Sequence, residues 1–478
     1  MNIIQRIAKN TLALFTAQLV VSISSIILSI YIARNLGDII FGRYSFALAF
    51  TAFFAIFSNL GYDTLLVREV ARNKPQANKY LSNILIIRSI LSIIFFVLLV
   101  ILVNLMNYPS YTKSVVYLFG IYTLLSSLSN IFKSTFRAFE KMEYETVVTI
   151  IINVIRVSSG VLVLFLGYGL MELALVFLFS SVFDLIISSL ICEYNFVKID
   201  LEADLSFWKD SIKKALPLGM LSIFGIIYTR VDTIMLSLMK GDAVVGWYNA
   251  AYNLVLGFKP IPYLFIGALL PLMSYYYTSS KKSLKNIYSN SFKYLLILGL
   301  PLTLGIALLA DKIIILFYGQ QFTSSIVALQ ILAGDVLIIF LYSALGGLLI
   351  SIDKQNQMAI FAAVTALANV ILNLLLIPSL SYVGAAVATI ASETVLLIFY
   401  VYFISKHFYK LSFSKIIFKP LLATSIMGIF VYFCRFINLF LLIFLSIILY
   451  FLILYFVKGF AKEDVNYLKQ LFMKTKDN

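Results

Sequence analysis

The chain is 478 residues long, 62% hydrophobic and only 12% charged, whereas soluble domains run near 25% charged. A formal charge of +15 would suggest a nucleic-acid partner in a soluble protein, but in so apolar a chain it is read first through membrane topology. One histidine, His407, and two cysteines, Cys192 and Cys434, exclude a histidine-based active site, a disulfide framework and a cysteine metal spacing.

Apolar runs of about twenty residues, the length that crosses a bilayer as a helix, recur from end to end. They lie at 12–33, 44–62, 81–104, 114–133, 146–167, 170–192, 215–238, 246–275, 292–317, 323–350, 357–378, 382–404, 416–435 and 437–457. The fold class expected is therefore an all-α polytopic membrane protein of about fourteen transmembrane helices. The first run lacks a short apolar core followed by a small-residue cleavage site, so it reads as a retained span and not a removed signal. With the N-terminus placed inside, most of the 37 Lys and Arg fall in inner loops and tails. With span-end residues assigned to the nearer loop, the outer side carries only Arg34, Arg43, Lys113, Lys240, Lys312 and Arg435. This asymmetry orients the chain and sets positive charge against anionic membrane lipids, so no nucleic acid is expected as a partner.

The chain also repeats itself. Gly37-Asp38-Ile39-Ile40-Phe41-Gly42-Arg43-Tyr44 and Gly241-Asp242-Ala243-Val244-Val245-Gly246-Trp247-Tyr248 share the pattern G-D-x-x-x-G-x-Y. Phe139-Glu140-Lys141 parallels Ile352-Asp353-Lys354, and Asn153-Val154-Ile155 parallels Asn369-Val370-Ile371. The matches come in order and at corresponding places, which predicts two parallel six-helix repeats plus two C-terminal helices. The divisions expected are a lobe at 1–192, a connector at 193–214 containing Trp208, a second lobe at 215–404, a helix pair at 405–457 and a basic tail at 458–478. Repeat architectures of this kind bind substrate between the halves and rock to alternate access; duplication in a membrane enzyme is the other reading.

Four cations lie deep in the apolar runs, where an ionised group is costly and lines a cavity, pairs with an acid or snorkels. Arg88 sits about seven residues into the third span, roughly 10 Å by helical rise, within reach of the inner face by snorkelling. Arg156 lies deeper and shares its helix face with Asn153, Ser159 and Gly160, which leaves both cavity lining and an interhelical pair open. Arg230 and Asp232 are two residues apart, about 200° around a helix, so they need separate environments. Lys259 precedes Pro260 and Pro262, and each proline removes a helical N–H and breaks the preceding turn. A lysine beside a broken helix at mid-membrane is placed to meet an anion or a counter-ion. Pro217 and Pro301 are candidate bends of the same sort. Asp184, Asp335 and Glu393 lie within spans, with Asp63 and Asp311 near span ends. They offer charge pairing or a site for a coupling proton or sodium ion, and no other cofactor is expected.

Several stretches together resemble the polysaccharide-biosynthesis branch of the multidrug/oligosaccharidyl-lipid/polysaccharide (MOP) exporter superfamily, which includes the O-antigen flippases. They are Ala33-Arg34-Asn35-Leu36-Gly37, Leu60-Gly61-Tyr62 with Val67-Arg68-Glu69-Val70-Ala71-Arg72, Tyr228-Thr229-Arg230-Val231-Asp232, and Gly246-Trp247-Tyr248-Asn249-Ala250-Ala251-Tyr252. The resemblance implies two lobes around a cationic cavity, a lipid-tail groove at the last two helices, and transport without bond chemistry. The implied substrate is a polyprenyl-(pyro)phosphate-linked oligosaccharide moved from the inner to the outer leaflet. It further implies a prokaryotic cytoplasmic membrane, both termini inside, and a polysaccharide polymerase and glycosyltransferases as partners. On this reading Arg34, Arg156, Arg230 and Lys259 meet the phosphate and glycan, and Asp232, Asp335 and Glu393 serve ion coupling or charge pairing. Lipid II flippases of the superfamily carry more arginines in the first two spans than Arg34 and Arg43. The competing expectations are a cation-coupled drug exporter of the same superfamily and a membrane-embedded glycosyltransferase or ligase.

Overall fold

The computed structural model describes residues 3–200, 202–409 and 413–459. The predicted tail lies almost wholly outside the described residues. Among those residues the chain is helical throughout, with twelve helices long and apolar enough to cross a membrane. Two of the twelve each hold two crossings, so fourteen crossings result.

The first helix, α1 (Ile3–Asn59), breaks at Gly37. Unbroken, its 57 residues would run roughly 85 Å at 1.5 Å per residue, far more than a bilayer core. Gly37 adopts φ 77° and ψ 176°, a conformation that needs a residue without Cβ, and both halves of α1 then face one cavity. The short α2 (Tyr62–Arg72) follows, then α3 (Ala77–Leu105), α4 (Ser110–Ala138), α5 (Met142–Phe165) and α6 (Leu170–Asn195). These form the N-terminal half. The C-terminal half comprises α7 (Leu205–Lys240), α8 (Asp242–Leu256), α9 (Pro260–Ser279), α10 (Lys281–Leu308), α11 (Ala310–Tyr318), α12 (Ser325–Ser351) and α13 (Gln355–His407). Like α1, α13 reverses at a kink, here at Ser381. The predicted break at Lys259 is present as the gap between α8 and α9, whereas Pro217 and Pro301 sit inside continuous helices.

The internal repeat is structural. Glu140 and Asp353 occupy matching turns with φ 60° and 58°. The following lysines donate back five residues in the same way, Lys141 N to Phe136 O at 2.9 Å and Lys354 N to Leu349 O at 2.9 Å. Gly241 mirrors Gly37, with φ 92° and ψ 178°.

The two copies of G-D-x-x-x-G-x-Y also pack on each other. A Cβ on Gly42 would stand 1.8 Å from the Asp242 carbonyl oxygen, and one on Gly246 would stand 2.2 Å from that of Asp38. One residue further along each motif, Arg43 Nε donates to Asp242 Oδ2 and Trp247 Nε1 donates to Asp38 Oδ2, both at 2.8 Å. This reciprocal clasp joins the halves at the membrane face opposite the N-terminus. Elsewhere the halves meet mainly where α1 lies against α7 and α8.

The connector docks on the N-terminal half. Asn83 Oδ1 accepts from Asp204 N at 2.8 Å and from Trp208 Nε1 at 2.9 Å, while Asp204 caps α7 through Ser206 N and Phe207 N. The final pair, α14 (Phe413–Phe433) and α15 (Leu439–Phe456), packs against α10. Tyr450 Oη donates to Ile297 O at 2.7 Å, and Arg435 pairs with Asp311 at 2.6 Å.

Candidate functional site: a cationic cavity between the halves

Between the halves lies a cavity of about 490 Å³. Small and polar side chains of α1, among them Ser22, Ser25 and Ser29, form one wall, and Asn249 and Asn253 of α8, one turn apart, form another. These residue types follow from the location, since helix faces that meet water inside a membrane protein carry hydroxyls and amides that lipid-facing helices avoid.

Two cations face this space. Arg156 of α5 is half-buried; its Nε donates to Ser180 Oγ at 2.8 Å and an Nη to Tyr122 Oη at 3.2 Å. Its guanidinium carbon stands 5.1 Å from the Tyr122 ring centre and 5.4 Å from that of Phe177. The aromatic faces stabilise the charge while leaving donors free. Arg230 of α7 enters from the other half, and its Nε is buried without a hydrogen-bond partner. Tyr44 lies within electrostatic reach of both arginines. Among the described residues neither Arg156 nor Arg230 forms an ion pair with a carboxylate.

The other intramembrane cations are neutralised locally or stand apart. Arg88 is 2% exposed and pairs with Asp63, while its Nε donates to Ser127 Oγ at 2.8 Å. The expected snorkelling does not occur, because Asp63 at the start of α2 brings a carboxylate to the guanidinium. Lys133, at the margin of a predicted span and not singled out there, is buried against Asp184 at 2.8 Å. Lys259, at the α8–α9 break, lies 6.0 Å from the Tyr263 ring centre and within electrostatic reach of Asp335 and Glu393. Arg34 is exposed near the Gly37 turn and is not part of the cavity wall.

Asp232 faces away from Arg230, as the helical angle requires. It is 1% exposed and accepts from Tyr248 Oη and Thr389 Oγ1, each at 2.8 Å, and from the Asn373 amide. Asp335 and Glu393 are buried in the same half.

Sequence reasoning missed Tyr44, Tyr122, Asn249 and Asn253 as cavity residues. The two asparagines had a signal in their four-residue spacing within an apolar helix. The tyrosines had none, because tyrosine is also common in interfacial belts.

A second opening of about 410 Å³ adjoins the cavity at Gln18. Leu14 and Ala17 of α1, Thr149 of α5 and Pro260, Tyr263 and Leu264 of α9 bound it, with the Arg137–Glu145 pair at its edge. It lies between the halves toward the face bearing the N-terminus.

Residues 7–277 match the family model described as "Polysaccharide biosynthesis protein". The chain is 26% identical over 185 residues to the probable low-salt glycan biosynthesis flippase Agl15 of Haloferax volcanii, covering 38% of this chain and 39% of that protein. It is 25% identical over 425 residues to the capsular polysaccharide biosynthesis protein CapF of Staphylococcus aureus, covering 84% of this chain and 100% of CapF. In fold it is similar to the lipid II flippase MurJ in an inward closed conformation, with a TM-score of 0.77 and 17% identity over 96% of this chain and 99% of that one.

Proposed function

Because the chain belongs to the polysaccharide biosynthesis protein family, on the flippase branch of the MOP superfamily, we propose that it carries a polyprenyl-(pyro)phosphate-linked oligosaccharide from the inner to the outer leaflet. The observation that carries this reading is the pair Arg156 and Arg230, which face one cavity from opposite halves without a carboxylate partner among the described residues. A buried guanidinium without a counter-ion is unfavourable until an anion arrives, and a phosphate fits its planar donor fork.

The rest of the cavity suits a glycan, since serine hydroxyls and asparagine amides replace hydration lost on leaving water. The opening between α1, α5 and α9 lets an isoprenoid tail stay in lipid while the headgroup occupies the cavity. Lys259 directly precedes Pro260, which borders that opening, and Arg34 stands on the clasp face, where the phosphate arrives.

No bond is made or broken. If about two phosphate charges move outward across a ~100 mV inside-negative potential, the field contributes roughly 5 kcal/mol. The N-terminus lies inside, so the Arg43–Asp242 clasp closes the outer face and opens to release cargo. Glycosyltransferases supply the lipid-linked glycan and a polymerase consumes it.

Reconstitution into vesicles with a fluorescent lipid-linked oligosaccharide tests the proposal. Wild-type protein is expected to expose the labelled headgroup to an outside quencher, and Arg156→Ala and Arg230→Ala to slow this while the helical signal is kept. Equal rates in both variants would remove the site. A new glycosidic product would indicate an enzyme instead.

A further inference from the structure

The loops on the membrane face that bears the N-terminus differ in charge between the two halves. Around the N-terminal half, cations and acids alternate and pair: Arg68 with Glu69, Lys79 with Asp204 and Arg137 with Glu145. On the C-terminal half the start of α10 exposes Lys281, Lys282 and Lys285, and the end of α13 adds the exposed Lys406. Among the described residues none of these four lysines forms an ion pair. From α8 to the end of the described chain, Asp353 in the α12–α13 turn is the one acid in a loop of this face.

The lysines stand together with aromatic rings. Tyr277 of α9 meets Phe408, just past α13, at 6.1 Å between ring centres. Lys285 Nζ lies 4.7 Å from the ring centre of Tyr409, and Lys406 Nζ lies 5.7 Å from that of Tyr402. Tyr275 and Tyr402 are 64% and 62% exposed, near the ends of membrane-spanning helices, where aromatic side chains sit at headgroup level. A ring beside a lysine holds the side chain in place and leaves its three N–H donors free.

We propose that the start of α10 and the end of α13 form a binding surface for anionic phospholipid headgroups. Excess positive charge on one face orients a membrane protein, but orientation acts on both halves alike and does not require one half to gather unpaired lysines. These lysines repel one another. Lys281 and Lys282 also stand at the positive end of the α10 dipole, with no acid in its first turn. A phosphodiester supplies the missing negative charge, and the exposed tyrosines give its glycerol and upper acyl chain an apolar surface.

An acidic protein would meet the same charges from the aqueous side. The rings favour a lipid instead, because they hold the ammonium groups within the headgroup layer and not beyond it. Lysine suits this ligand as a flexible point charge for a single phosphate, whereas the cavity presents arginine forks. None of the residues of this surface lines the cavity. Lipid binding here and glycan transport through the cavity can therefore each fail without the other.

Native mass spectrometry of the whole protein, released from micelles titrated with phosphatidylglycerol or with phosphatidylcholine, tests the surface. Wild-type protein is expected to retain phosphatidylglycerol in preference. The triple variant Lys281→Gln, Lys282→Gln and Lys285→Gln should weaken the apparent affinity about fivefold per lysine, the scale of a cation near an anionic membrane surface. All three side chains are exposed, so the fold should survive, as a melting curve would verify.

A comparison variant carries Lys209→Gln, Lys213→Gln and Lys214→Gln in α7, three exposed lysines on the same face with Asp210 among them. Its affinity for phosphatidylglycerol is expected to stay close to that of the wild type. Equal retention of the two lipids by wild-type protein overturns the proposal and leaves the patch to an acidic protein. Equal losses in the two triple variants overturn it as well, since the attraction would then belong to net charge and not to this surface.

Discussion

The guanidinium of Arg43 holds the Asp242 carboxylate at 2.8 Å across the seam between the two halves. The indole of Trp247 holds Asp38 at the same distance in the equivalent place. Each motif thus binds the acid of the other, which is what two copies of one sequence do when they meet about a two-fold axis. The contact is polar and partly exposed, suited to a seam that opens and closes.

The clasp should be weak in its charges and strict in its glycines. A double-mutant cycle on Arg43→Ala and Asp242→Ala is expected to give a coupling on the order of 1 kcal/mol, the scale of partly exposed ion pairs. Gly42→Leu places carbon where the Asp242 carbonyl already sits, so the halves must separate. Spin labels on either side of the seam should report a longer distance in Gly42→Leu and an unchanged one in Arg43→Lys.

Arg156 and Arg230 should matter more for binding than for stability. Removing one charge-assisted contact to phosphate costs roughly 1.5–3 kcal/mol, a loss of about ten- to a hundredfold in affinity. Arg156→Lys should also bind a diphosphate lipid more weakly, because lysine lacks the planar fork that lies against Tyr122 and Phe177. Microscale binding of a short isoprenyl diphosphate, beside a melting curve, separates the two effects.

Arg88 should behave in the opposite way. Asp63→Ala leaves a 2% exposed guanidinium without its acid, and breaking a buried pair from one side costs ~3–5 kcal/mol. Asp63→Ala with Arg88→Met should recover much of that loss. Denaturant unfolding in micelles measures both, and an Asp63→Ala protein as stable as wild type would show the pair to be dispensable.

The connector carries a pH dependence of known sign. Lys79, first, then Ser206 and the Phe207 N–H hold the Asp204 carboxyl well below the ordinary carboxylate range. A group depressed on folding stabilises the docked state above its unfolded value, about 3.9. That contribution is lost as pH falls through the lower folded value. The emission of Trp208, whose indole bonds Asn83, should therefore stay native-like to below pH ~4. In Lys79→Met the change should move to higher pH, and an unmoved midpoint would show that Lys79 does not hold the carboxylate.

The number of crossings and the duplication were legible in the chain because both are one-dimensional properties. Hydrophobic run length is compared with bilayer thickness one segment at a time, and G-D-x-x-x-G-x-Y stands twice in the text of the chain. The break at Lys259 was readable for the same reason, since proline acts on its own turn. So was the opposition of Arg230 and Asp232, because the angle between neighbours on a helix does not depend on the fold.

What the chain could not state is which charge meets which. Arg88 looked able to snorkel, yet Asp63, 25 residues earlier, reaches it only once α2 packs beside α3 and α4. Lys133 and Asp184 are ordinary entries in two different helices until α4 and α6 lie together. Arg34, Arg156 and Arg230 read alike as membrane-associated arginines; packing leaves the first exposed and turns the other two into one cavity. Sequence alone determined that this protein spans the membrane many times in two related halves, because burial in lipid acts on each segment independently. Tertiary structure decided which cations are neutralised and which remain open, because neutralisation requires two distant segments to stand within about 4 Å.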